Sequence, residues 1–130
     1  MKVMSMTMVC FRAPGATYCL PLDVAVSVRT ADDLVPLPDP APEVVGIIPG
    51  SPPLTVISPF GSTGAHIIVV EAAEKRFGLM VDEVTGLRSV DEADIRPAPT
   101  GQGRALVSGT VDTDGQLVFV ADPAVLAEQL

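Results

Sequence analysis

The stretch "TMVCFRAPGATYCLPLDVAVSVRT", Thr7 to Thr30, sets the pattern for the whole chain. Two runs rich in β-branched, aromatic and other apolar residues are separated by Pro14-Gly15, a dipeptide that marks a tight turn. With the turn centred there and an even-length loop, cross-strand partners have positions summing to 29. Cys10 then faces Cys19, and Phe11 faces Tyr18; one extra loop residue would remove the pairing. Side chains alternate along a strand, so Val9, Phe11, Tyr18 and Leu20 share one face, and their bulk predicts a core. Val24, Val26 and Val28 alternate in the same way and predict another strand.

The pattern continues outward. Residues 31–46 hold four prolines, which break any helix or central strand and predict a short turn at 31–34 followed by an extended connector. "VVGII" (44–48) and "LTVISPF" (54–60) resume as strands on either side of "PGSPP". The three prolines there remove three backbone donors, and Gly50 permits a sharp reversal, so a bend between two strands is expected. "GSTG" (61–64) reads as a loop that divides the chain near its middle. "AHIIVVEAA" (65–73) opens a second set. Phe77, Leu79 and Val81 alternate, and Val84, Leu87 and Val90 follow after a disturbance at Asp82-Glu83. "DEADIRPAPTGQGR" (91–104) is a polar connector. "ALVSGTVDTDGQLVFVAD" (105–122) reads as a hairpin whose Gly115 takes positive φ. Asp122 and Pro123 are the N-cap and first residue of a helix of about two turns. Nine or ten short strands without long helices exclude a doubly wound α/β arrangement. Two small barrels fit better than one large sandwich, although the pattern leaves both open.

Composition narrows the function classes. The chain has 130 residues, 48% of them apolar, with four Phe, one Tyr and no Trp, so aliphatic side chains must fill the core. Sixteen acids against eight bases give a formal charge of −8, and Lys2 and Lys75 are the only lysines. Phosphate backbones and anionic membrane surfaces are repelled by such a chain, so nucleic acid is excluded as a partner. "IIVV" (67–70) is far short of a membrane span. The N-terminus has no convincing apolar block or cleavage site, which makes the cytoplasm the expected compartment. Cys10 and Cys19 are then expected as reduced thiols.

Nothing in the chain gathers into a reactive constellation. His66 is the single histidine, which removes histidine-based zinc motifs and leaves a strand-edge residue. Neither cysteine has a base nearby in sequence. Asp112 and Asp114 in "DTDG" lack the ligand series of a calcium loop and read as a hairpin turn. Asp82 and Glu83 read as a solvated bend rather than paired catalytic carboxylates. "GSTG" and "GQGR" lack the context of phosphate loops. The expectation is a protein without catalysis, cofactor or metal that works by binding other proteins.

Four segments in order give that expectation a name. "VCFRAPGATYCLPLDVAVSV", "LVPLPDPAPEVVGII", "FGLMVDEVTGLRSV" and "LVSGTVDTDGQLVFVADPAVL" together resemble the CheW-like family of bacterial chemotaxis coupling proteins, from Val9 to Leu130. The resemblance implies an all-β fold of two SH3-like five-stranded barrels with a short C-terminal helix. It implies a single domain over 1–130, with approximate subdomains 8–62 plus 117–130, and 63–116. It also implies a non-catalytic coupling protein that bridges the regulatory domain of a CheA-type histidine kinase and the cytoplasmic tip of chemoreceptors. An alternative is a divergent two-barrel scaffold in another signalling or motility system, and self-association is compatible with either. The chain departs from the family at one place. Where the family usually has Asn-Leu-Arg-Gly, this chain has Pro49, Gly50, Ser51 and Pro52, and the usual downstream proline is Val56. Ser51 supplies neither the charge nor the forked donors of arginine. The protein-interaction residues expected from the comparison are Ile48, Pro49, Gly50, Ser51 and Pro52, with Asp82 and Val84.

Overall fold

A computed structural model of the chain describes residues 5–37, 44–62, 64, 66–97, 106–128 and 130. Residues 38–43 of the proline connector and 98–105, with the "GQGR" glycines, lie outside the described residues, as do Thr63 and Ala65 around the "GSTG" loop.

The first hairpin joins β1 (Ser5–Ala13) to β2 (Ala16–Pro21). Its register has the expected sum: Cys10 pairs with Cys19 and Phe11 with Tyr18. Gly15 sits at φ +87°, a conformation that glycine adopts without steric cost. The chain then forms β3 (Ala25–Thr30), β4 (Val35–Pro36), β5 (Val44–Ile48) and β6 (Leu54–Ile57). A second hairpin follows, β7 (His66–Ala72) with β8 (Lys75–Val81). After it come β9 (Glu83–Asp91), β10 (Arg96–Pro97), β11 (Val107–Thr113) and β12 (Gln116–Ala121). The described chain ends in α1 (Pro123–Ala127). Asp122 caps that helix through its carboxylate, which accepts from the amides of Ala124 at 3.1 Å and Val125 at 3.4 Å.

The all-β expectation holds, with two sheets of six strands each. Their orders are β10-β11-β12-β2-β1-β9 and β3-β7-β8-β6-β5-β4. The two-residue strands β4 and β10 account for the sixth strand in each.

The strands of the first sheet come from both ends of the chain, and those of the second from its middle. Gly61, Ser62 and Gly64 lie between β6 and β7, both strands of the second sheet. Strands β3 to β8 build that sheet, whereas β1 and β2 join β9 to β12 in the first. The reason is that each hairpin serves as the centre of its sheet. β2 takes β12 as a parallel neighbour and β1 takes β9, while β8 takes β6 in parallel and β7 takes β3.

The two sheets thus follow one plan. Val120 pairs with both Cys19 and Gly109, and Val56 pairs with both Gly78 and Gly46. Cys10 therefore corresponds to Val69, Met8 to Ile67, and Gly109 to Gly46. The two glycines fill the same role. A Cβ on Gly46 would lie 2.5 Å from the Val35 carbonyl oxygen, and one on Gly109 would lie 2.7 Å from that of Arg96.

Three apolar cores result. Met8, Cys10, Cys19, Val90, Val111, Val118 and Val120 fill the inside of the first sheet. Ile48, Leu54, Val56, Ile67, Val69 and Met80 fill the second. Between the sheets, Val9, Phe11 and Leu20 meet Ile57, Ile68, Val70, Phe77, Leu79 and Val81, and Leu126 of α1 seals the edge. β1, β7 and β8 are therefore apolar on both faces, which is why "IIVV" and "FGLMV" read as unbroken runs rather than alternations. The disturbance expected at Asp82-Glu83 falls at Asp82, the single residue between β8 and β9. Further along, β9 carries a bulge between the Cys10 and Phe11 pairings, beside Gly86 at φ +140°, and Leu87 after it is 61% exposed.

Candidate functional site

The bend between β5 and β6 is an exposed connection of the second sheet. Ile48 ends β5 and Leu54 begins β6; both are buried, and residues 49–53 between them are exposed. The Ser51–Pro52 peptide bond is cis. With its three prolines the loop has few free backbone torsions.

This loop rims a depression of about 210 Å³ at the mouth of the second sheet. Arg29 of β3 and Arg76 of β8 line it with Ser51, and Leu54 and Val69 lie toward the core. Among the described residues no Asp or Glu lines it. Arg29 Nη2 lies 3.7 Å from Asp33, and Arg76 Nε lies 3.2 Å from Glu71. All four of these side chains are exposed, so the pairs contribute little and exchange readily.

The seven expected interaction residues do not form one patch. Pro49, Gly50, Ser51 and Pro52 gather at this mouth. Ile48 also borders the depression, but it is only 1% exposed and belongs to the second sheet's core, where it packs with Val56 and Ile67. Val84 packs against the core between the sheets. Asp82 lies elsewhere. It lines a depression of about 630 Å³ beside the first hairpin turn, with Arg12, Pro14 and Gln116. There the Asp82 amide donates to the Arg12 carbonyl at 2.8 Å, and His66 Nδ1 lies 3.3 Å from the Asp82 carbonyl.

The first sheet has the corresponding mouth, a depression of about 410 Å³ lined by Cys10, Arg12, Arg88 and Gln116 among others. Here Arg88 Nη1 donates to Asp114 at the β11–β12 turn at 2.5 Å. Burial pushes the Cys10 thiol up in pKa, partly offset by the nearby Arg88 charge. Burial, and then Cys10 itself, push Cys19 up to about 12. Both cysteines are free thiols held neutral in the core. Among the described residues no group of three or more His, Cys, Asp or Glu is arranged to hold a metal ion, and no helix is long and apolar enough to cross a membrane.

Sequence reading did not single out Arg29 and Arg76. The available signal was scarcity: two of eight cations in a chain of charge −8. Their meeting at the proline loop depends on the order β3-β7-β8-β6, which no local pattern encodes.

The family model of the CheW-like domain matches residues 51–130, more than half of the chain. Among solved structures, the chain is similar to the crystal structure of the scaffolding protein TtCheW from Thermoanaerobacter tengcongensis. That match has a TM-score of 0.84 and 25% identity, and covers 95% of this chain and 92% of that one. No curated protein matches the chain. The family model and the two-sheet architecture agree, and the chain belongs to the CheW-like domain family.

Proposed function

We propose that this protein is a non-catalytic chemosensory coupling protein. It bridges the regulatory domain of a CheA-type histidine kinase and the cytoplasmic tips of chemoreceptors, and signalling depends on the assembly it holds together. The observation that carries this reading is the likeness to a scaffolding protein over 95% of the chain, in a protein whose family model matches 51–130. The exposed proline loop and exposed edge strand β3 are suited to protein contacts, since they present fixed backbone and apolar side chains such as Val26 and Val28. The reading includes action in the cytoplasm, where kinase and receptor tips meet.

The test is direct binding. The kinase regulatory domain and a receptor-tip fragment encoded in the same genome are immobilised in turn, and the purified protein is passed over each. Binding to both, and formation of a ternary complex, is expected. Binding to neither overturns the reading.

A second reading is favoured by one observation, the replacement of the family's Asn-Leu-Arg-Gly by Pro49, Gly50, Ser51 and Pro52. In it the protein is a divergent scaffold of another signalling or motility system, without receptor coupling. It predicts binding to a kinase domain with none to any receptor tip.

A further inference from the structure

The two sheets share one plan, and their mouths differ in two respects. Arg88 pairs with Met8 across β9–β1, and Arg29 pairs with Ile67 across β3–β7. Met8 and Ile67 correspond, so the two arginines occupy equivalent positions. In the first sheet the arginine is bound from within, because Asp114 at the tip of the β11–β12 turn accepts its hydrogen bond. In the second sheet the tip of the β5–β6 connection carries Ser51, which has no charge. A further cation, Arg76, stands at the same mouth, and its counterpart in the first sheet is Thr17, which pairs with Arg12 as Arg76 pairs with Glu71.

We propose that the mouth of the second sheet is a socket for a carboxylate side chain of a partner protein, taken between Arg29 and Arg76 over the β5–β6 loop. The incoming carboxylate stands where Asp114 stands in the first sheet. This rests on the scaffold reading above and adds the chemistry of its partner.

Charge selects the occupant. Among the described residues the depression is lined by two guanidinium groups and no acid, on a chain of net charge −8. Guanidinium groups present forked donors that match a carboxylate. Asp33 and Glu71, their current neighbours, are exposed, and displacing such pairs costs little. Its size suits one side chain better than a large ligand: about 210 Å³ is below the roughly 300–1,000 Å³ of pockets for drug-sized molecules. Leu54 and Val69 at the base suit the methylenes of Glu or an apolar neighbour in the partner's chain. The proline-held loop is already ordered, so docking sacrifices little conformational freedom.

The experiment uses the two domains named above as probes, with four forms of the full chain. Ser51→Asp places an internal carboxylate at the loop tip, as in the first sheet, and fills the socket. Ser51→Asn, of similar size and uncharged, measures the steric part. The double variant Arg29→Gln/Arg76→Gln removes the cations. Circular dichroism melts establish that each form is folded. For at least one of the two domains, Ser51→Asp is expected to lose at least tenfold more affinity than Ser51→Asn. The double variant is expected to lose about tenfold or more, together with most of the salt dependence seen in the parent. If parent binding is intact but Ser51→Asp matches Ser51→Asn, and the double variant matches the parent, the socket is overturned and the scaffold reading stands. If the parent binds neither domain, both fall.

Discussion

Cys10 and Cys19 face one another directly across the β1–β2 pair, and both are buried inside the first sheet. Burial favours the neutral thiol, so the folded pKa of Cys19 rises from 9.0 to about 12 and that of Cys10 rises as well. Below pH 9 both are protonated whether the chain is folded or not, and their stabilising contribution is complete. Between pH 9 and about 12 the unfolded chain loses a proton from Cys19 that the folded chain keeps, so stability falls as pH rises. Urea midpoints are expected to be level from pH 7 to 9 and to drop above that. The drop should be shallower in Cys19→Ala, and a parallel drop in the two forms would contradict the burial account.

Gly46 and Gly109 offer a paired test of the shared plan. A Cβ at either meets a backbone carbonyl oxygen closer than 3 Å, and backbone cannot swing aside. Gly46→Ala and Gly109→Ala should each destabilise by about 1–3 kcal/mol, the usual range for overpacking. Hydrogen exchange should show loosening of β4 in the first variant and of β10 in the second.

Phe11 joins the sheets. It is fully buried, and its ring stacks on Tyr18 at 5.6 Å and lies 6.1 Å from Phe60. Phe11→Ala should cost about 3–5 kcal/mol in denaturant unfolding. Val28→Ala, at an edge-strand position 50% exposed, should change stability by less than about 0.5 kcal/mol.

The helix depends on its cap. Asp122 satisfies two free amides, and the helix carries Leu126 into the core between the sheets. Asp122→Ala should lower stability by about 1 kcal/mol. Asp122→Asn retains an accepting oxygen and should recover most of that loss.

Ser51→Arg asks what the proline loop has lost relative to its family. If the loop serves the proposed receptor contact, a third cation at that mouth should strengthen binding to the receptor-tip fragment, by several-fold in a titration at low salt. Unchanged binding would show that the loop no longer contacts that partner.

The first hairpin was legible residue by residue because its turn, alternation and register are all local. Pro14-Gly15 fixes the reversal, and period-two alternation puts Val9, Phe11, Tyr18 and Leu20 on one face. The β11–β12 turn and the Asp122 cap were legible for the same reason. β3 shows the limit. Its valines alternate as core residues do, yet Val26 is 44% exposed. β3 is the edge strand of its sheet and is exposed along most of its length, and hydropathy does not record which strand lies at an edge. The site was legible only in part. The loop at 49–52 stood out through its prolines, but Ile48 and Val84 belong to cores, and Asp82 lies at a different depression.

By itself the sequence determined the strand content, the turns, the helix cap and the acidic surface, since each follows from neighbours within a few residues. Only the tertiary structure decided which hairpin belongs to which sheet, because the parallel pairs β2–β12 and β6–β8 join segments far apart or across another strand. It alone brought Arg29 and Arg76 to the rim beside Ser51. Such meetings are set by the order of strands across a sheet, which emerges when non-local pairing and apolar burial are satisfied together, and no local stretch encodes it.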